Sequence, residues 1–167
     1  EKTLAQGRQV ALKFLAFMIL CEPCLYFLLE AKAIANTTAS QAGMVTAILP
    51  LIVAVAAAVF LKERVTKKTA IGLVVAVSGV CLLSVGGVPS ENAPHPAWGN
   101  FLEFLAMLCA AGYTVTLKKL TARYSPFFLT ALQAFAGTVF YLPVMLLSDA
   151  PLPAEFVTVP ALSRSEE

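Results

Sequence analysis

Five stretches of the chain are almost continuously apolar, at residues 11–34, 39–61, 69–87, 98–117 and 127–148. At about 1.5 Å of rise per residue, each is long enough as a helix to cross a hydrocarbon core of roughly 30 Å. The breaks between them carry turn or charge signals: Asn36-Thr37-Thr38, then Lys62-Glu63-Arg64 through Lys68, then Gly86-Gly87 through Pro96, then Lys118 through Pro126. The pattern predicts an all-α membrane protein with about five transmembrane helices.

Composition supports the same solvent. Of 167 residues 59% are hydrophobic and 13% charged, with mean hydropathy +0.80, and a soluble domain of this size needs more charge to cover its surface. The partner of the apolar faces is therefore a lipid bilayer. A net charge of +2, with its basic residues in short scattered clusters, excludes a nucleic-acid footprint. Five spans put Lys2, Arg8, Lys13, Lys62, Arg64, Lys67, Lys68, Lys118, Lys119 and Arg123 on one face, ten of the 12 basic residues, and only Lys32 and Arg164 on the other. Basic residues beside a span are retained in the cytoplasm, so the N-terminus of this chain is expected there. The chain opens on Glu1 rather than Met, and Glu1 to Gln9 is too polar for a secretory signal, so it reads as a fragment.

Acidic side chains at membrane depth cost several kcal/mol unless protein or water shields them. Glu22 lies about 16 Å along the first span, near the midplane, and at helical spacing it shares a face with Tyr26 and Glu30. Pro23 removes a backbone donor and is expected to free the carbonyl of Ile19, making a kink beside the carboxyl. The functional reading is a substrate or proton site at Glu22 with Tyr26. The structural alternative is a carboxyl bonded to a neighbouring helix beside an ordinary proline bend. Glu30 and Lys32, nearer the outer end, are expected to snorkel to the interface. In the fourth span Asn100, Glu103, Met107, Ala110 and Thr114 fall on one face, and Glu103 is a second candidate in shallower membrane. Gln41 and Thr46, with Gln133 and Tyr141, are candidates to line the same cavity or to bond between helices. Pro50 in the second span and Pro143 in the fifth mark helix breaks of the kind that frame binding sites in repeat-built transporters. Gly72, Ala76 and Gly79 make a small-residue face suited to close helix packing.

Cys21-Glu22-Pro23-Cys24 has the spacing of a thiol redox pair, which raises a membrane thiol redox enzyme as an alternative. An apolar midplane setting suppresses thiolate chemistry, and Cys81 and Cys109 form no second adjacent pair, so small buried apolar residues are the simpler account. His95 stands alone without metal-ligand spacing, and there is no phosphate-cradling loop and no hydrolase or metalloprotease motif. No catalytic residue, metal or cofactor is expected.

One run of residues is recognisable: Ala33-Ile34-Ala35-Asn36-Thr37-Thr38-Ala39-Ser40, Leu49-Pro50-Leu51, Phe60-Leu61-Lys62-Glu63-Arg64, then Gly72 and Gly79-Val80. It resembles the EamA-type transporters of the drug/metabolite transporter superfamily, with Glu63-Arg64 after an apolar helix as the most distinctive element. The resemblance covers roughly residues 11–148 and implies a ten-helix fold of two inverted five-helix repeats. Trp98-Gly99, Ala111-Gly112-Tyr113 and Ser125-Pro126 look like the opening of the second repeat. In that register residues 1–87 are the last three helices of the first repeat, 88–97 an outer loop, 98–148 the first two helices of the second, and 149–167 a polar, Pro-rich tail. The resemblance implies transport, in the export direction, of a small metabolite or organic compound across the cytoplasmic (inner) membrane by alternating access. Protons are a candidate coupling partner, and the cavity is completed by the remaining helices or a second copy. A non-transporting membrane subunit is the other alternative.

Overall fold

The computed structural model describes residues 2–147 apart from Val65 and Asn92, with side chains from Gln9 onward. The proposed tail at 149–167 lies outside the described residues. Five helices long and apolar enough to span a bilayer run over Gln9–Ile34, Ala39–Leu61, Lys67–Val85, Pro96–Leu120 and Pro126–Leu146, each end within about three residues of the apolar runs. The chain is an integral membrane protein.

Two spans are interrupted, which gives seven helical pieces. Helices α1 (Lys2–Ile19) and α2 (Tyr26–Ile34) flank a distorted wide turn, Leu20–Leu25; α3 (Ala39–Thr46) and α4 (Leu49–Leu61) share the second span; α5 (Lys67–Val85), α6 (Pro96–Leu120) and α7 (Pro126–Leu146) are continuous. Helix α1 starts at Lys2, so the polar opening stretch extends the first span as a helix rather than preceding it.

Helix starts follow from local chemistry. Thr38, Thr66 and Ser125 each have extended backbone and accept a hydrogen bond from the amide three residues on, at 3.2, 3.2 and 3.3 Å. Such caps satisfy donors that hydrocarbon cannot. Pro96 and Pro126 open α6 and α7, where the missing N–H costs nothing. Lys62 ends α4 in the left-handed region (φ 57°).

Helix α6 is the axis of the bundle, packed against α1 to α5 and the wide turn. Its buried positions, among them Gly99, Asn100, Glu103, Ala106, Met107, Ala110 and Ala111, recur at helical spacing. Ile48 and Ile52 of the second span meet Ala106, Met107 and Ala111 in one core cluster, and Leu15, Met18, Leu120 and Leu129 form another. Helix α5, by contrast, has no buried residue. Its Val74, Val75 and Leu82 project outward, which hydrocarbon accommodates and water would not. The small-residue face expected on α5 packs within the chain only at its start: a Cβ at Gly72 would touch Leu51 at 3.7 Å, whereas Gly79 has nothing within 4 Å. The closest approach lies elsewhere, at Gly99, where a Cβ would sit 2.7 Å from Thr37 Cβ and 2.9 Å from the Ala33 carbonyl oxygen.

One end of the bundle is basic. Lys118 of α6 pairs with Glu63 just beyond α4 at 2.5 Å, and Lys119 lies over the Phe14 ring of α1, 4.9 Å from its centroid. The ends of α4 and α6 and the α1 segment around Lys13 therefore meet at the same face.

Candidate functional site

The polar side chains picked out within the spans gather in two clusters rather than around one cavity. The first surrounds the interruption in the first span. Glu22 has extended backbone (φ −146°, ψ 122°) inside the wide turn, the Glu22–Pro23 peptide bond is cis, and Pro23 has no N–H to give. Three consecutive carbonyls, those of Glu22, Pro23 and Cys24, find donors here from another helix. Helix α7 supplies those donors. Gln133 Nε2 donates to the Glu22 carbonyl at 3.4 Å, and Tyr141 Oη lies 2.9 Å from the carbonyl oxygens of both Pro23 and Cys24, its single proton shared between them. Tyr113 of α6 completes the chain by donating to Gln133 Oε1 at 3.2 Å. Gly137 makes the approach of α7 feasible, since a Cβ there would meet Pro23 Cγ at 3.1 Å.

A cavity of about 460 Å³ opens at this junction, lined by Glu22, Pro23, Phe27, Tyr113, Thr130, Gln133, Ala134, Gly137, Thr138 and Tyr141. Glu22 is half-buried and is the one charged residue in that lining. Its carboxyl makes no hydrogen bond to any described residue. Cys21 and Cys24, on either side, are buried free thiols.

Tyr26 does not join that lining. Opening α2, it donates to Glu30 Oε1 at 2.8 Å, across one helical turn, and packs against the Ile48–Met107 core cluster. The expected face of Glu22, Tyr26 and Glu30 is thus divided, because the extended residue at 22 breaks the helical register.

The second cluster lies between α6 and the start of the second span. Thr37 Oγ1 lies 2.8 Å from Asn100 Oδ1 and 3.0 Å from Gln41 Oε1, and Asn100 Nδ2 donates to Gln41 Oε1 at 3.0 Å and to Ser84 Oγ of α5 at 3.2 Å. One turn along α6, Glu103 Oε1 accepts from Thr46 Oγ1 at 2.8 Å. Asn100 and Glu103 are each 1% exposed, so Glu103 is enclosed by protein. Gln41 and Glu103 belong to this cluster, and Gln133 and Tyr141 to the first.

Pro50 is the second residue of α4, just after the break at Ala47–Ile48. Thr46 is the last residue of α3, so the Glu103 bond is made at the edge of that break. Glu63 pairs with Lys118 and Arg64 is exposed, both at the basic end and away from either cluster. Thr37, Asn100 and Ser84 were not singled out as site residues. Asn100 carried a signal, a polar residue three before Glu103 on one face, but its partner Thr37 is 63 residues away.

The chain is an all-helical multi-pass membrane bundle with polar clusters at two helix breaks. The EamA-like transporter family matches residues 2–85 and 97–163, and the chain belongs to that family. It is 29% identical over 124 residues to the uncharacterized transporter YetK of Bacillus subtilis (strain 168), across 74% of this chain and 38% of that protein. The uncharacterized transporter YcxC of the same organism is 31% identical over 131 residues, across 78% and 41%. A probable terminal-alkyne amino-acid exporter of Streptantibioticus cattleyicolor is 34% identical over 129 residues, across 74% and 42%. The matches thus cover 38 to 42% of the length of these relatives. No solved structure matches the chain.

Proposed function

We propose that this chain forms the middle of a metabolite exporter of the cytoplasmic (inner) membrane, working by alternating access, with Glu22 as the residue that contacts substrate. The observation that carries the reading is a half-buried carboxyl midway along the Gln9–Ile34 span, without a protein hydrogen-bond partner among the described residues, lining a cavity beside a broken helix. An ionisable group is costly in that position unless it has work to do, and broken helices frame binding sites in transporters built of repeats.

The lining favours a substrate with a cationic amine. Glu22 supplies the charge, Phe27, Tyr113 and Tyr141 supply rings, and no Lys or Arg stands among the described lining residues. A carboxylate with aromatic faces suits an ammonium group. The exporter from Streptantibioticus cattleyicolor is named for an amino acid, which agrees with an amine-bearing cargo.

In this reading residues 1–87 are the last three helices of one five-helix repeat and 98–148 the first two of the next. The separation of the family match into 2–85 and 97–163 supports that division. The cavity is then finished by helices of the longer protein or by a second copy. The basic end carrying Lys13, Lys118 and Lys119 supports a cytoplasmic N-terminus for this chain.

The test is export of a panel of radiolabelled amino acids and amines from cells carrying the full-length protein. Glu22→Gln keeps the side-chain volume and removes the charge, and it is expected to reduce export of the accepted amine at least tenfold with unchanged membrane abundance. Unaltered export by Glu22→Gln removes this residue from the mechanism.

A further inference from the structure

Glu103 is the most deeply enclosed charged-type side chain among the described residues, at 1% exposure. Oε1 lies 2.8 Å from the Thr46 hydroxyl oxygen, which is also 3.0 Å from the Ala42 carbonyl oxygen and has a single proton for the two, and Oε2 is buried with no partner among the described residues. The groups around it make an ionised form expensive. From α2, Tyr26 packs against the core cluster that holds Met107 and donates its hydrogen bond to Glu30 at 2.8 Å, and Lys32 of the same helix is exposed. Helix α3 presents the Thr46 hydroxyl, and α4 contains no charged residue. The Lys and Arg of α1 and α5 belong to the basic end of the bundle, and the one salt bridge among the described residues, Lys118–Glu63, is there too. No salt bridge to Glu103 compensates its charge among the described residues.

Burying a carboxylate without a counter-charge costs several kcal/mol even after relaxation, and the group neutralises by taking a proton instead. We propose that Glu103 is a proton-binding site: in this conformation the carboxyl is protonated, its O–H on Oε2, and it exchanges that proton when the helices around it move. The proton passes to water or back as the O–H bond breaks or forms, with no other bond changing. Thr46, which binds the other oxygen, ends α3 directly before the Ala47–Ile48 break and Pro50. The proton is therefore held against the hinge of the second span, where its loss would leave a charge that the closed packing does not accommodate. Coupling of this step to export rests on the proposed function; protonation of Glu103 does not.

Infrared spectroscopy of the full-length protein in lipid separates the two. At about pH 8, well above the ordinary carboxyl range near 4, the wild type is expected to keep the C=O stretch of a protonated carboxyl, and Glu103→Gln is expected to lose that band. Glu22→Gln keeps it. Thr46→Val, which removes the hydroxyl beside Oε1 along with its contact to the Ala42 carbonyl of its own helix, is expected to move the band to higher frequency without abolishing it, and serves where Glu103→Gln fails to fold. A wild type without the band, or a band indifferent to both Glu103→Gln and Thr46→Val, overturns the assignment. If Glu103→Gln removes the band yet leaves the pH dependence of export intact, the coupling to transport is overturned and the proton site stands.

Discussion

Gly99→Ala tests the packing on which the buried polar cluster depends. A methyl group there would lie 2.7 Å from Thr37 Cβ, 2.8 Å from the Thr37 nitrogen and 2.9 Å from the Ala33 carbonyl oxygen. Two of those three atoms are backbone, so no side-chain rotation relieves the clash; either α6 or the turn after α2 must move. Overpacking of this kind costs about 1–3 kcal/mol. A displaced Thr37 also loses its 2.8 Å contact with Asn100, both groups being 1% exposed, and buried polar atoms left unpaired cost about 1–3 kcal/mol more. Alanine's better helix propensity returns about 1 kcal/mol. The net expectation is a loss of about 1–5 kcal/mol. Unfolding by SDS in mixed micelles, followed on the full-length protein, measures it. Gly79→Ala is the control, because nothing lies within 4 Å of its Cβ position in this chain and the same propensity gain applies. A Gly99→Ala loss no greater than that of Gly79→Ala would refute the close approach.

Two further substitutions separate contacts that matter from contacts that do not. Tyr141→Phe removes the donor shared by the Pro23 and Cys24 carbonyls at 2.9 Å, and it is expected to cost about 1–2 kcal/mol in the same SDS titration; no measurable change would mean that another donor reaches those oxygens. Glu63→Gln breaks the ion pair to Lys118, whose side chains are 62% and 48% exposed, so the expected loss is about 0.2–1 kcal/mol and should shrink further in high salt. A salt-insensitive loss well above that range would refute a merely superficial role for the pair.

How far the amino-acid order predicts this protein depends on the range of the interaction. Span positions were legible because a hydrocarbon layer sets a minimum length of apolar helix, and the Thr38, Thr66 and Ser125 caps mark starts within three residues of their partners. Pro50 signalled a local break for the same reason. What surrounds Glu22 was legible only in part. A proline disfavours helical backbone in the residue before it, so an extended Glu22 follows from Pro23, but the donors that meet the carbonyls there, Gln133 and Tyr141, lie more than 100 residues further on. Likewise Asn100 and Glu103 were visible as one polar face of α6, yet their enclosure comes from Thr37, Gln41 and Thr46, 57 to 63 residues away. Gly79 shows the opposite failure, since a small residue at helical spacing signals close packing only where a partner helix is present.

The two breaks are held by different helices, and that makes their independence a measurable property. Carbonyls freed at Glu22–Cys24 are met from α7, whereas the end of α3 at Thr46 is met from α6. Backbone groups released inside a bilayer must find protein partners; at Glu22–Cys24 these are side chains of α7, around Ala47–Ile48 they are local backbone turns such as Ile48 N to the Val45 carbonyl at 3.0 Å, and the two arrangements have no hydrogen-bond partner in common. Contacts that share no partner contribute additively to stability, within about 0.3–0.5 kcal/mol. The double variant Tyr141→Phe/Thr46→Val is therefore expected to lose the sum of the two single losses in the SDS titration. A coupling energy above about 1 kcal/mol would mean that the first and second spans bend together as one unit. Additive losses would mean that each broken helix pivots on its own helix partner, so that closing the Glu22 cavity does not by itself disturb the carboxyl at position 103.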